Sequence, residues 1–411
     1  MTRRLVVLAG VVAACHPAPP TPTPAWTPVP AIELKATGFD PARLDSVTAY
    51  LRTQVDSAFP GAVVAVGRHG RLALLAAVGH YSVGDPRLVT PSTVYDLASL
   101  TKVIGLTPAC LLLAQSGQLD LDAPVQRYLP EFTGPGKDSV RIRHLLTHSA
   151  GLAADLPLWD STRTREAALA FVDTAPLLAP PGTKFVYSDL SAIVLMQVVE
   201  RISGEPLDHF LAEHVFGPLG MTATRYRPPA SWRDHVAPTE VDTFYRHRLL
   251  IGEVHDESAA RLGGVSGNAG LFSTAPDLAR FAAWMLERWH ADTGDGKPAP
   301  GDLLLSPILR LPGSVIREWT HRQGIPPGST RALGWDTPSD SGYSSAGTLL
   351  SRRSFGHTGY TGTSIWMDPD RDLFVILLTN RVNPTRANTK ILQVRPRVAD
   401  LVVAALSREE P

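Results

Sequence analysis

The sequence predicts an α+β fold: an antiparallel sheet assembled from both ends of the chain, flanked by helices and carrying a mostly helical inserted subdomain. Three observations lead there. Two apolar, strand-like runs flank His69-Gly70 within 61–82, which reads as an antiparallel hairpin. Two more strand-like runs, 362–367 and 373–379, lie near the other end of the chain, separated by the turn Asp368-Pro369-Asp370-Arg371. Between these ends the apolar periodicity is mostly helical. One sheet built from both termini, with a helical insertion, is the arrangement that buries all of these faces together.

The remaining elements follow in order. A helix from about Phe39 leads into the hairpin. Residues 98–117 form an apolar helix that Gly117 ends and Pro108 kinks. Residues 191–202 form another, stopped at Gly204, and Thr274 with Asp277 resembles a capping box before a helix over 278–288. A final amphipathic helix runs over 398–407. No internal repeat and no second low-complexity linker divides this region. The length of 411 residues is long enough for two or three domains. The pattern instead favours one composite domain over 39–411.

What precedes it is of another kind. Arg3 and Arg4, an apolar stretch over 5–12 and the small residues Val12-Ala13-Ala14 before Cys15 form an export signal, too short to span a bilayer core. Seven of the fifteen residues over 16–30 are Pro and three are Thr, so this stretch is of semi-rigid polyproline type with a reach of roughly 45 Å, and 16–38 is read as a linker. Lys+Arg and Asp+Glu number 39 each, and this zero net charge gives no support for electrostatic capture of nucleic acid. Two cysteines cannot build a Cys-rich metal centre. Cys110, within an apolar helix, is expected to be a buried thiol.

The chemistry gathers at three short motifs. Ser99-Leu100-Thr101-Lys102 puts a hydroxyl and an amine one helical turn apart, where a neutral lysine could take the serine proton. Of the 39 basic residues only six are Lys, and arginine could not serve in that place. Tyr187-Ser188-Asp189 follows the turn Pro180-Pro181-Gly182 and precedes a helix. His357-Thr358-Gly359 lies just before the C-terminal strands. Taken singly, these also read as an incidental spacing, a core Tyr with a capping Asp, and a polar strand edge. His255-Asp256 could be a metal pair but has no third ligand at plausible spacing; a site wall and a structural loop contact are equal readings. No phosphate loop or dinucleotide fingerprint is present, and no cofactor is expected.

In this order and with these intervals the motifs resemble those of the serine β-lactamase and penicillin-recognising enzyme superfamily, in its class C-like branch. The run His144-Leu145-Leu146-Thr147-His148-Ser149-Ala150-Gly151-Leu152 and the segments 117–122, 252–256 and 270–273 add to the likeness, which covers about 39–406. The resemblance implies a β-lactamase/transpeptidase-like fold and a serine hydrolase. Ser99 would be the acylated nucleophile, with Lys102 and Tyr187 as the proton-transfer network. The backbone N–H groups of Ser99 and Tyr360 would form an oxyanion hole, with Asp189, His357, Thr358 and Gly359 lining the site. Because Tyr360-Thr361-Gly362 is an overlapping triplet, the hole could slip by three residues. The Val-Ala-Ala-Cys ending resembles a lipobox, which implies lipidation of Cys15 and a membrane-anchored, exported protein.

Two departures matter. The second motif commonly ends in Asn, and here it is Asp189; a carboxylate near Lys102 favours the ammonium and makes lysine a poorer base. That shifts weight toward Tyr187 as base, unless Asp189 points elsewhere. The third motif often begins with Lys, and here it is His357, expected to be partly charged and a weaker partner for a substrate carboxylate. The leading expectation is D,D-carboxypeptidase chemistry on cell-wall-type D-amino-acid peptides. An esterase or weak β-lactamase with the same nucleophile is the alternative within the enzyme class. A non-catalytic peptidoglycan-binding or β-lactam-sensing lipoprotein is the alternative outside it.

Overall fold

A computed structural model describes residues 37–291 and 309–407. The signal, Cys15 and most of the Pro-rich linker lie outside the described residues. The first helix, α1 (Pro41–Gln54), starts where Asp40 accepts a hydrogen bond from the Arg43 N–H at 3.0 Å and Pro41 supplies a preset first turn. The expected hairpin follows as β1 (Gly61–Arg68) and β2 (Arg71–Gly79), paired antiparallel around His69-Gly70. After the short β3 (Tyr95–Asp96) come a π-helical turn, Lys102–Leu106, and α2 (Thr107–Gln115). The kink expected at Pro108 takes this form. Pro108 has no N–H to give to the preceding turn, and the backbone widens just upstream, where the Thr107 N–H bonds Lys102 O.

Further along lie α3 (Asp189–Ser203), ended by Gly204 at φ 74°, β4 (Arg225–Tyr226), β5 (Leu271–Ser273) and α4 (Ala275–Trp289). The capping box at Thr274 is only half made. Thr274 receives the Asp277 N–H, while the Asp277 carboxylate turns to the Ala223 N–H and the Thr224 hydroxyl. Three strands close the chain, β6 (Phe355–Thr358), β7 (Ser364–Asp368) and β8 (Leu373–Thr379), followed by α5 (Ile391–Ala404), which begins earlier than its apolar pattern suggests.

The main sheet has the order β2-β1-β8-β7-β6, every neighbour antiparallel, so its strands do come from both termini. Side-chain alternation then divides two cores. Val63, Ala65, Phe374, Ile376 and Leu378 face the helical region, whereas Val64, Val66, Val375 and Leu377 face α1 and α5. Both faces are covered, which is why β8 reads as one unbroken apolar run. The edge strand β6 and the start of the π turn meet at one end of this sheet, and there the three motifs converge.

Candidate active site

Ser99 sits at the entrance to the helix that carries Lys102. Ala98 just before it is held at φ 46°, an uncommon conformation for a residue with a Cβ. Two contacts impose it. The Ala98 N–H donates to Asp96 Oδ1 at 2.8 Å, and Asp96 is itself fixed by the His255 N–H at 2.7 Å. Thr361 Oγ1 and Thr363 Oγ1 donate to the carbonyls of Asp96 and Leu97 at 2.7 and 3.1 Å, tying the turn after β6 to the turn that presents Ser99.

Lys102 Nζ lies 3.0 Å from Ser99 Oγ and donates to Asn268 O at the same distance. It also forms an ion pair with Asp189 Oδ1 at 2.6 Å, the lysine side chain being 4% exposed. Burial alone would push this amine down. The Asp189 carboxylate, followed by Tyr187, outweighs burial and raises it above the ordinary lysine value. Asp189 therefore does not point elsewhere. It occupies the first turn of α3, where the helix dipole favours negative charge, and the capping role falls to Ser188, whose Oγ accepts the Ser191 N–H at 3.2 Å.

Tyr187 is set by the His144–Leu152 run. His148 Nδ1 accepts the Ser188 N–H at 3.1 Å, and His148 O accepts the Val186 N–H at 2.9 Å. The Tyr187 ring packs 4.6 Å from His148 and 5.7 Å from His357, with the Lys102 ammonium 4.9 Å and the Arg331 guanidinium 5.3 Å from its centroid. Its hydroxyl is buried and has no hydrogen-bond partner among the described residues.

His357 and Thr358 belong to β6 itself. His357 corrects the expectation of a partly charged ring. It is buried, and burial, then Arg331 and Lys102, hold its pKa well below the ordinary histidine value. Nδ1 lies 2.8 Å from the Thr358 carbonyl, to which it donates, leaving Nε2 as a buried acceptor without a partner among the described residues. A neutral imidazole offers no charge to a carboxylate. Four arginines, Arg331, Arg381, Arg386 and Arg395, line the same cavity; Arg331 has its Nη1 buried without a partner among the described residues and its Nε 3.7 Å from Asp336.

Ser99, Tyr187, Arg331, His357, Thr358 and Tyr360 all line one cavity of about 480 Å³. The residues of the second, overlapping triplet are engaged elsewhere. Thr361 and Thr363 are buried and committed to the Ser99 turn, and the Gly362 N–H is taken by Gly359 O at 3.0 Å. Gly359 admits no side chain, because a Cβ there would meet Thr363 Oγ1 at 2.1 Å and Leu97 O at 2.4 Å. His255 stacks on Tyr360 at 5.7 Å and bonds Glu240 through Nε2 at 2.9 Å, while Asp256 caps the helix Glu257–Arg261. His255 thus backs a residue of the cavity wall, Asp256 is a helix cap, and among the described residues neither belongs to a group of three metal-ligating side chains. Among the described residues one trio could hold a cation, Glu205, Glu213 and His214, and none of these lines the Ser99 cavity. Cys110 is buried as expected, its thiol pushed up to about 12 by burial.

Asp96, His148, Arg331 and Arg395 escaped sequence reasoning as site residues. His148 lay within a recognised run without a role. Asp96 stands outside the three motifs. Nothing distinguishes Arg331 or Arg395 locally in a chain so rich in arginine.

A strained serine turn, a Ser–Lys–Tyr cluster around a buried lysine and an edge strand facing it define a serine hydrolase built on a sheet shared by both termini. The chain belongs to the Beta-lactamase family, whose model matches residues 47–398. Proteins of Salmonella agona and Salmonella typhi, each named "Putative D-alanyl-D-alanine carboxypeptidase", are 30% identical to it over 389 residues, covering 86% of this chain and 86% of theirs. Among solved structures, a penicillin-binding protein homologue from Caulobacter crescentus shares the fold with a TM-score of 0.66 at 22% identity, over 90% of this chain and 99% of that one. A β-lactamase from Mycobacterium bovis matches at 0.55 and 25% identity, over 87% and 99%.

Proposed function

We propose that this hydrolase forms an acyl-enzyme through Ser99 and acts on D-amino-acid peptides of cell-wall type by D,D-carboxypeptidase chemistry. The observation that carries the reading is the contact of Ser99 Oγ with Lys102 Nζ at 3.0 Å in a cavity also lined by Tyr187 and His357–Tyr360. The names of the relatives from Salmonella support the substrate class.

In this mechanism Lys102 stays an ammonium, paired with Asp189, and donates to Ser99 Oγ. A donor in that state cannot accept the serine proton; Tyr187 takes it as a phenolate, its own phenol proton having first left to solvent, and the charge of Lys102 stabilises that phenolate until the serine proton restores the phenol. Ser99 Oγ attacks the penultimate carbonyl, and the tetrahedral oxyanion is held by the N–H groups of Ser99 and Tyr360. Collapse breaks the peptide bond, Tyr187 returns the proton to the departing amine, and water later hydrolyses the ester. Arg331, always charged, holds the carboxylate of the terminal residue in place of the lysine common in the third motif.

Intact-mass measurement after incubation with a fluorescent penicillin tests this. A label that persists on the wild type and is lost in Ser99→Ala supports the slow deacylation of a carboxypeptidase-like site. Labelling that survives the substitution removes Ser99 from the mechanism. Turnover without accumulated adduct indicates a β-lactamase, and faster cleavage of p-nitrophenyl esters than of a D-Ala-D-Ala peptide indicates an esterase. We further propose export and anchoring through a lipid on Cys15, a reading supported by the sequence alone. Cys15→Ala should release the protein from membranes, and unchanged partitioning would contradict lipidation.

A further inference from the structure

One buried guanidinium at the site has no part in the mechanism above. Arg395, on α5, is 7% exposed and reaches across to the turn after β6. Its Nη2 donates to Gly359 O at 2.5 Å and to Thr363 O at 2.9 Å. The Gly359 N–H also meets Thr363 O, at 2.8 Å, and Gly359 O also receives the Gly362 N–H at 3.0 Å. Both acceptor positions of the Gly359 carbonyl are therefore filled, one of them by a charged donor.

That carbonyl and the Tyr360 N–H are opposite ends of one amide. The peptide unit is planar and trans, so fixing its oxygen fixes the direction of its N–H. A charge-assisted hydrogen bond at the oxygen also draws electron density through the amide and strengthens the N–H as a donor. The Ser99 N–H is fixed by other means. The carbonyl of its peptide, Ala98 O, accepts the Thr101 N–H at 2.9 Å within the helix start, and Asp96 holds the Ala98 N–H. One arm of the hole is thus set by its own helix. The other is set from a helix 36 residues further along the chain.

We propose that Arg395 is a positioning residue of the oxyanion hole, orienting and polarising the Gly359–Tyr360 peptide so that its N–H meets the oxyanion formed at Ser99. This rests on the acyl-enzyme reading of Ser99. A mere strut for the turn would affect folding and leave the acyl carbonyl untouched, which gives the test.

Arg395→Met and Arg395→Lys are compared with the wild type by kcat and KM for a p-nitrophenyl ester. The infrared stretch of the Ser99-linked acyl carbonyl is recorded in the penicillin adduct. In Arg395→Met kcat should fall about tenfold with KM nearly unchanged, less than the roughly 10²–10³-fold cost of deleting a hole donor. The acyl carbonyl band should move to higher wavenumber. Arg395→Lys, which keeps a charged donor able to reach one carbonyl, should lie between. If Arg395→Met does not fold, the same shift in Arg395→Lys supports the proposal and its absence overturns it. A folded Arg395→Met with wild-type kcat and an unmoved band overturns it. A wild type that takes no label at Ser99 overturns the acyl-enzyme reading and this inference together, an outcome separate from a variant that labels normally.

Discussion

The two sides of the Ser99 cavity handle charge in opposite ways. On the nucleophile side a buried ammonium is closed in by Ser99 Oγ, Asn268 O and the Asp189 carboxylate. On the edge-strand side the histidine is neutral, its Nε2 open, and the cations are arginines on other segments, Arg331 among them. Both departures from the common motifs therefore act in one direction. Asp189 cancels the charge of Lys102, His357 contributes none, and the positive charge available to a substrate has moved from strand to loop. On the proposed mechanism, proton transfer beside Lys102 and carboxylate recognition by Arg331 thereby fall at different cations.

The largest effect should follow from opening the closed side. Lys102→Met should slow penicillin acylation by roughly 10³-fold or more. It also strands the Asp189 carboxylate, which should cost about 3 kcal/mol in a urea titration. An acylation rate within tenfold of wild type would break the comparison. On the open side, Arg331→Met should raise KM for a D-Ala-D-Ala peptide roughly 10- to 100-fold, the loss expected for one charged hydrogen bond. It should leave the C-terminally amidated peptide unchanged, and equal losses on both substrates would remove Arg331 from carboxylate recognition.

A smaller effect is expected from pH. His148 and His357 both have lowered pKa values, chiefly through burial. An unfolded chain takes up protons on them below about pH 6.5 while the folded chain does not. Their contribution is therefore intact above that pH and is lost as pH falls toward the folded values. Glu240, held down to about 2 by His255 and Arg386 against its burial, adds a second loss between about pH 4.5 and 2. Urea midpoints from pH 8 to 5 should fall for the wild type and fall less for His357→Gln; parallel curves would contradict a neutral His357. The smallest change is expected from Tyr360→Ala. The ring is half exposed, stacked on His255 and under Arg381, so its loss should cost less than about 1 kcal/mol. Acylation should stay within about threefold, since the proposed mechanism uses only the backbone N–H of this residue. A hundredfold loss would show that the side chain itself acts.

The sequence made the sheet and the Ser99–Lys102 contact legible because both rest on short-range patterns: alternation in the terminal strands and one helical turn between serine and lysine. It also supplied the consequence of Asp189, since a carboxylate beside an amine acts the same way wherever the two meet. The state of His357 was not legible. A histidine's charge depends on what surrounds it, here burial and two cations supplied by residues 331 and 102. Arg331 and Arg395 escaped for the same reason, being brought to the site by long-range packing and not by local spacing. The half-made box at Thr274 is a third case, since Asp277 finds better partners across the fold at Ala223 and Thr224.

The central claim is that Lys102 is an ammonium in the resting site and that Tyr187, not lysine, receives the serine proton. The chain has only six lysines, so labelling their side chains with ¹³C at Cε gives a spectrum that can be followed through a pH titration. Lys102 is identified by the signal lost in Lys102→Met, which keeps it apart from Lys137, a buried amine pulled down to about 8 chiefly by desolvation. The account predicts that Lys102 stays protonated beyond the ordinary lysine range in the wild type. It also predicts that Lys102 titrates at lower pH in Asp189→Asn, where burial acts unopposed by the carboxylate. A wild-type Lys102 that loses its proton below pH 8 would contradict it and return the role of base to lysine.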